Sequence, residues 1–191
     1  MEVLLELFQF ETVPPEALAA ATSREIYAAF MDTPPPPKVT VRQPELPWAD
    51  IWARLWGPPG AREEADIQFQ LIHNILPACR RLARFGVEAA GHCPRCPGVL
   101  EDLEHIFTRC IRVAGVWQQL VASLVASTGP APDRDLLLLA WPPTARDNDI
   151  ATAIMVFVHL VWTTRGETRP PTFERLTAAL RAKPAPFTPL W

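Results

Sequence analysis

The sequence predicts a mostly α fold: a helical domain built around a small Cys3His zinc knuckle. Three observations predict it. Apolar residues recur at i, i+3, i+4 and i+7 in several segments, with no alternating pattern of useful strand length between them. Proline and glycine cut the chain into helix-length pieces. Between the two helical halves, Cys93, Cys96, His105 and Cys110 stand in a C-x2-C-x8-H-x4-C array.

Taken in chain order, the elements follow from local chemistry. After Pro14 and Pro15, the alanine-rich stretch Glu16 to Met31 offers Leu18, Ile26, Tyr27 and Phe30 for packing and reads as a first helix. Pro34 to Pro37 end it, because four prolines favour polyproline II geometry; residues 1–46 are therefore an N-terminal helix followed by a stiff Pro-rich linker. From Pro47, Trp48, Ile51, Trp52, Leu55 and Trp56 mark one face of a short helix, and that stripe is expected in the core. Gly57 to Gly60 stop it.

Glu63 to Leu76 reads as the next helix, with Ile67, Leu71, Ile72 and Ile75 inward, and Pro77 opens another that runs to Phe85 before Gly86. Val113, Val116, Trp117, Leu120, Val121, Leu124 and Val125 repeat the helical spacing up to Gly129 and Pro130. Asn148 to Thr164 is apolar nearly all round, so it should be deeply buried. Thr172 to Ala182 makes a final helix that buries Phe173, Leu176 and Leu180. The resulting organisation is a zinc-binding helical domain over 47–128, C-terminal helices packing on it over 129–182, and a Pro-rich tail over 183–191.

Composition limits the function. The 191 residues suit one domain, or one with appendages, at roughly 100 to 200 residues per domain. That is too small for a polymerase or kinase core. With 49% hydrophobic and 20% charged residues, the chain has apolar material for a core. The formal net charge of −3 lacks the basic excess of a protein that coats nucleic acid, so any such contact must be local. Met1 to Phe10 carries Glu2 and Glu6 without a basic flank, unlike a secretory signal, and the longest apolar run, Ile150 to Trp162, is too short for a bilayer. No membrane association and an intracellular location, nuclear or cytoplasmic, are expected. In that setting four cysteines point to metal ligands or thiols rather than disulfides.

Three thiolates and one imidazole complete a tetrahedral zinc set, and the two-residue gap turns two sulfurs onto one ion. Gly98 relaxes the chain after the knuckle. His105 and Cys110 are to be brought together by a helical turn within Glu101 to Arg109. A complete set leaves no position for water, so one Zn2+ is expected to hold the fold rather than perform chemistry. His92 adjoins Cys93 but offers a poorer spacing and is kept outside the ligand set. Cys79 reads as a core thiol, and Glu104 as a solvated carboxylate or one that supports a ligand.

These residues also carry a resemblance. Trp48 to Trp56, the run Leu71-Ile72-His73-Asn74-Ile75-Leu76-Pro77, then Arg81, Leu82, Phe85 and Gly86, the knuckle Cys93-Pro94-x-Cys96, the segment Glu101-x-x-Glu104-His105-x-Phe107-x-x-Cys110, and Val116-Trp117 together resemble the zinc-binding domain that follows the reverse transcriptase in LINE-type non-LTR retrotransposons. The similarity is specific over about Trp48 to Leu124. By position it gives the same four residues as zinc ligands. It implies a non-catalytic accessory that helps a polymerase hold RNA or DNA, as part of such an element, a remnant or a domesticated gene.

No Tyr-x-Asp-Asp polymerase motif occurs, and the four histidines assemble no nucleophile and base, so the chain is not expected to be an enzyme. Arg80, Arg81, Arg84, Arg95, Arg109 and Arg112 cluster around the knuckle and are candidate phosphate contacts; solubilising surface is the alternative reading. A module of another class also fits. A zinc-stapled helical protein would bind a partner through the Pro34 to Pro37 linker, or through an apolar face that packs on a reverse transcriptase core or on a second copy.

Overall fold

A computed structural model describes residues 43–58, 62–86, 91–167 and 170–183. The helix read at Glu16 to Met31, the Pro34 to Pro37 linker and the tail beyond Lys183 lie outside these residues. The described residues all belong to the compact unit Gln43–Trp191, and they are mostly helical. Their only strand-like pairing is an isolated antiparallel bridge between His92 and Leu100.

The first described helix, α1 (Trp48–Trp56), starts directly after Pro47. Its inward residues are Ile51, Leu55 and Arg54. The tryptophan stripe is not core: Trp48 and Trp52 are half-buried and Trp56 is 56% exposed. The helix is rotated so that Ile51 and Leu55 face inward and the i, i+4, i+8 stripe lies along the rim. There the rings satisfy one another, with Trp48 stacked on Trp52 at 5.5 Å and Trp52 stacked on His73 at 5.9 Å. Phe69 lies 6.1 Å from Trp56.

Helix α2 (Arg62–Ile72) buries Ala65, Gln68, Leu71 and Ile72. It ends four residues short of Leu76, and the reason is Asn74, which takes φ 54°. The Asn74 N–H bonds to the Leu71 carbonyl and the Ile75 N–H to the Gln70 carbonyl, the paired closure of a Schellman turn. Ile75 is thereby turned outward and is 39% exposed. Helix α3 (Cys79–Arg84) starts two residues after Pro77, because Ala78 is extended and serves as the N-cap. Gly86, at φ 72°, follows its end.

Helix α4 (Ala114–Thr128) buries Val116, Trp117, Leu120 and Leu124 and is stopped by Gly129 at φ 69°; Val125 faces outward, 43% exposed. A short α5 (Asp133–Leu137), not legible as a helix in the sequence, leads into the buried run Leu136 to Trp141. Helix α6 (Asp147–Thr163) is the centre of the unit. Every residue from Ile150 to Val158 is buried, as its all-round apolar character requires. It packs against α1, α2 and α7 (Phe173–Arg181), and Phe157 meets Trp117 of α4 at 5.2 Å. Thr172 caps α7 by accepting a hydrogen bond from the Arg175 N–H, and Leu176 and Leu180 turn inward. Among the described residues no helix is long and apolar enough to cross a membrane.

Candidate metal centre

Two small backbone devices bring the three cysteines and the histidine together. The first is a hairpin rooted at Gly91, whose carbonyl accepts the Glu101 N–H at 2.9 Å. Its tip is closed by Cys93 N–H to Val99 O at 2.8 Å and Val99 N–H to Cys96 O at 3.1 Å, with Gly98 at φ 76° making the turn. The Arg95 N–H points back at the Cys93 sulfur, 3.5 Å away. Gly91 itself has φ 63°, and a Cβ there would lie 3.3 Å from both the Arg80 Cα and the Ala83 Cβ. Only glycine lets the hairpin root sit this close to α3.

The second device is a π turn over His105–Arg109. The Cys110 N–H donates to the His105 carbonyl at 2.7 Å, an i to i+5 closure. An α turn closes i to i+4 and would leave Cys110 rotated past His105, so the wider turn is what an H-x4-C spacing demands. Asp102 starts it by accepting the His105 N–H at 2.9 Å.

The result is a buried group of Cys93, Cys96, His105 and Cys110 whose ligand atoms all lie within 4.8 Å of one another. The Cys96 and Cys110 sulfurs are 3.9 Å apart, far beyond disulfide length. With metal–sulfur bonds of about 2.3 Å, the edge of a tetrahedron is about 3.8 Å. Among the described residues the His105 Nε2 is buried with no hydrogen-bond partner, a costly state for a polar atom and an appropriate one for a metal ligand. Burial pushes the Cys110 thiol up to about 11, the nearby Cys93 and Cys96 sulfurs add to this, and a hydrogen bond from the Arg112 N–H opposes it. A metal must therefore displace a proton there, and its hold weakens as pH falls. These observations show a group able to hold a metal ion. His92 is exposed and lies outside it.

Around this group the polar residues are paired. Glu101, 2% exposed, is ion-paired with Arg165 from the turn after α6 and accepts the Cys79 N–H at 3.0 Å. Cys79 is not a core thiol: it is half-buried at the start of α3, with the Arg165 guanidinium 3.3 Å from its sulfur. Glu104 is exposed and ion-paired with Arg109. Arg80 pairs with Asp102 at 3.2 Å, and Arg81 bonds to the Asn74 carbonyl and lies over the Phe85 ring. Arg84 is exposed at the end of α3. Arg95 and Arg112 reach the opposite way, to the Glu167 carbonyl, at 3.3 and 3.0 Å. The six arginines that are neighbours in sequence are thus divided between α3, the π turn and a cleft beside the cluster.

The cleft, about 380 Å³ including its open mouth, is lined by Arg95, Arg112, Arg165 and Glu101 beside the cluster itself. Arg165 and Glu101 carried no signal in the sequence as partners, since 64 positions separate them. Compared with family models, curated proteins and solved structures, the chain has no match.

Proposed function

We propose that this chain is a non-catalytic zinc-binding module that assists RNA or DNA binding, in the manner of the accessory domain that follows a non-LTR retrotransposon reverse transcriptase. The observation that supports it best is the buried Cys3His group, whose donor set is that of a structural zinc site. Zinc is preferred because soft thiolates with one imidazole in tetrahedral array suit it better than the oxygen-seeking ions. With all four positions filled by protein, Cys93, Cys96, His105 and Cys110 would hold the ion and leave no place for an activated water. Its work is to fasten the hairpin, whose Val99 and Leu100 are exposed, to the π turn, whose Ile106 and Phe107 are already buried in the core.

The polymer-binding part rests on the sequence resemblance and on the arginines about the knuckle. A titration of zinc-loaded protein against structured RNA and single-stranded DNA at several salt concentrations tests it. Salt-sensitive binding is expected, and absence of binding at low salt contradicts it. A second reading, a protein-interaction module, is favoured by the rim aromatics and the exposed Trp56 and Phe85. It predicts self-association with rising concentration in light scattering and no affinity for either nucleic acid.

A further inference from the structure

The Cys96 and Cys110 sulfurs lie 3.9 Å apart, so a disulfide between them, at about 2.05 Å, needs a closure of about 1.9 Å. The two residues belong to different devices, Cys96 to the hairpin and Cys110 to the end of the π turn. One side of the pair is fixed, because Ile106 and Phe107 anchor the turn in the core. The other side can give: Val99 and Leu100 of the hairpin are exposed, and a Cβ built on Gly98 would meet no described atom within 4 Å. Cys93 and Cys110 line the cleft beside the group, whereas Cys96 does not. Cys93 is engaged within its own hairpin, with its sulfur facing the Arg95 N–H at 3.5 Å and its N–H bonded to the Val99 carbonyl at 2.8 Å.

From this arrangement we infer that Cys96 and Cys110 form an oxidative modification site: a small hydroperoxide entering by the cleft oxidises Cys110, and Cys96 resolves the product as a disulfide. Written for the protonated thiols, the Cys110 sulfur first attacks the peroxide and the O–O bond breaks. Cys110–SH and ROOH give Cys110–SOH and ROH. The Cys96 thiol then displaces the hydroxyl, so that an S–S bond forms and water leaves. Together the two sulfurs lose two electrons, and the peroxide oxygens take them up. The consequence for metal rests on the zinc reading above. A disulfide withdraws two of the four donors, and Cys93 with His105 alone do not make a tetrahedral set. Oxidation therefore releases the ion while the hairpin stays tied to the π turn by a covalent bond. The competing pair is Cys93 with Cys96, which closes inside the hairpin and leaves Cys110 reduced.

In the test, the reduced wild-type chain, supplied with zinc, is treated with hydrogen peroxide, the remaining thiols are alkylated, and the tryptic peptides are weighed without reduction. Cleavage after Arg80, Arg95 and Arg109 places Cys79, Cys93, Cys96 and Cys110 in four separate peptides, so each pairing has its own mass. Zinc release is followed in parallel with a chromogenic chelator. The expected product joins peptide 96–109 to peptide 110–112, with one zinc released per link, and dithiothreitol should reverse both when zinc is present. Because the wild type carries the test, no variant has to fold. Links from Cys93 to Cys96 or to Cys79 in place of the expected one, or over-oxidation of Cys110 with no link, overturn the inference. The same treatment in urea should scatter the pairings; an equal preference for Cys96 with Cys110 there would show that the fold does not select them, and would overturn it too. A reduced chain that takes up no zinc yet forms the Cys96–Cys110 link overturns the zinc reading and upholds the pairing. Formation of the link with zinc fully retained contradicts the release of the ion.

Discussion

Arg54 is the residue that most departs from its type. Its side chain is 2% exposed, and burial of a guanidinium is tolerated only when its charge and donors are met. Here Asp147 accepts from Nε and Nη2 at 3.1 and 3.0 Å, the Leu139 carbonyl accepts from Nη1 at 2.9 Å, and the Trp141 ring lies 4.5 Å away. Arg54→Ala empties a packed site in the core and takes one partner from Asp147, which keeps its bonds from Trp141 and Thr144; it should cost about 2 to 4 kcal/mol in urea unfolding. Burial alone would raise the Asp147 carboxyl, but hydrogen bonds from Trp141, from the Thr144 N–H and hydroxyl, and from Arg54 outweigh it and hold its pKa below 3.8. A carboxylate depressed in the folded state contributes stability above its unfolded pKa and loses it as pH falls through the folded one. Melting from pH 7 to pH 3 should therefore show acid destabilisation that is weaker in Asp147→Asn, and an equal slope in both would contradict the assignment. None of this is legible in the sequence, because 93 positions separate the partners and no periodicity marks a buried charge. The clustering of Cys93, Cys96, His105 and Cys110, by contrast, is legible to the residue, since the spacing of cysteine and histidine is itself the geometric constraint.

At the scale of elements, the helices with continuous apolar faces were legible nearly to their ends. The sequence pattern predicts α6 over Asn148 to Thr164 and it runs from Asp147 to Thr163, and the pattern of α7 is one residue longer at each end than Phe173–Arg181. Where the reading failed, a backbone signal was outvoted by side-chain pattern: Asn74 ends α2 although Ile75 and Leu76 continue the apolar count. The tryptophan stripe failed for another reason, because a helix with Ile51 and Leu55 available can bury these and leave the larger rings at the rim. The π turn is the element that closes the H-x4-C spacing. Deleting Arg109 shortens H-x4-C to H-x3-C, the i, i+4 pair that an α turn places on one face, so metal content should be retained with an α turn in place of the π turn. Loss of metal in this variant would show that the wider turn itself is required. Gly91→Ala forces a side chain into the left-handed region and against α3, and should cost about 1 to 3 kcal/mol.

For the whole molecule, the metal group and the helical core are joined through a few contacts. Glu101 with Arg165, and Arg95 and Arg112 on Glu167, tie the hairpin and the turn to the end of α6. The core of α6 packed on α1, α2, α4 and α7 is largely apolar, with every residue from Ile150 to Val158 buried. On the proposed zinc reading, removing the ion should loosen the hairpin first, seen as faster amide exchange over Cys93 to Cys110, with protection retained over Ile150 to Val158. Simultaneous loss in both regions would show that the ion holds the entire fold. The most direct test of a structural zinc site is elemental analysis of the purified chain beside Cys96→Ser and His92→Ala. One zinc per chain is expected in the wild type and in His92→Ala, and none in Cys96→Ser. A wild-type chain without bound metal under zinc-replete conditions, or full zinc in Cys96→Ser, would contradict it.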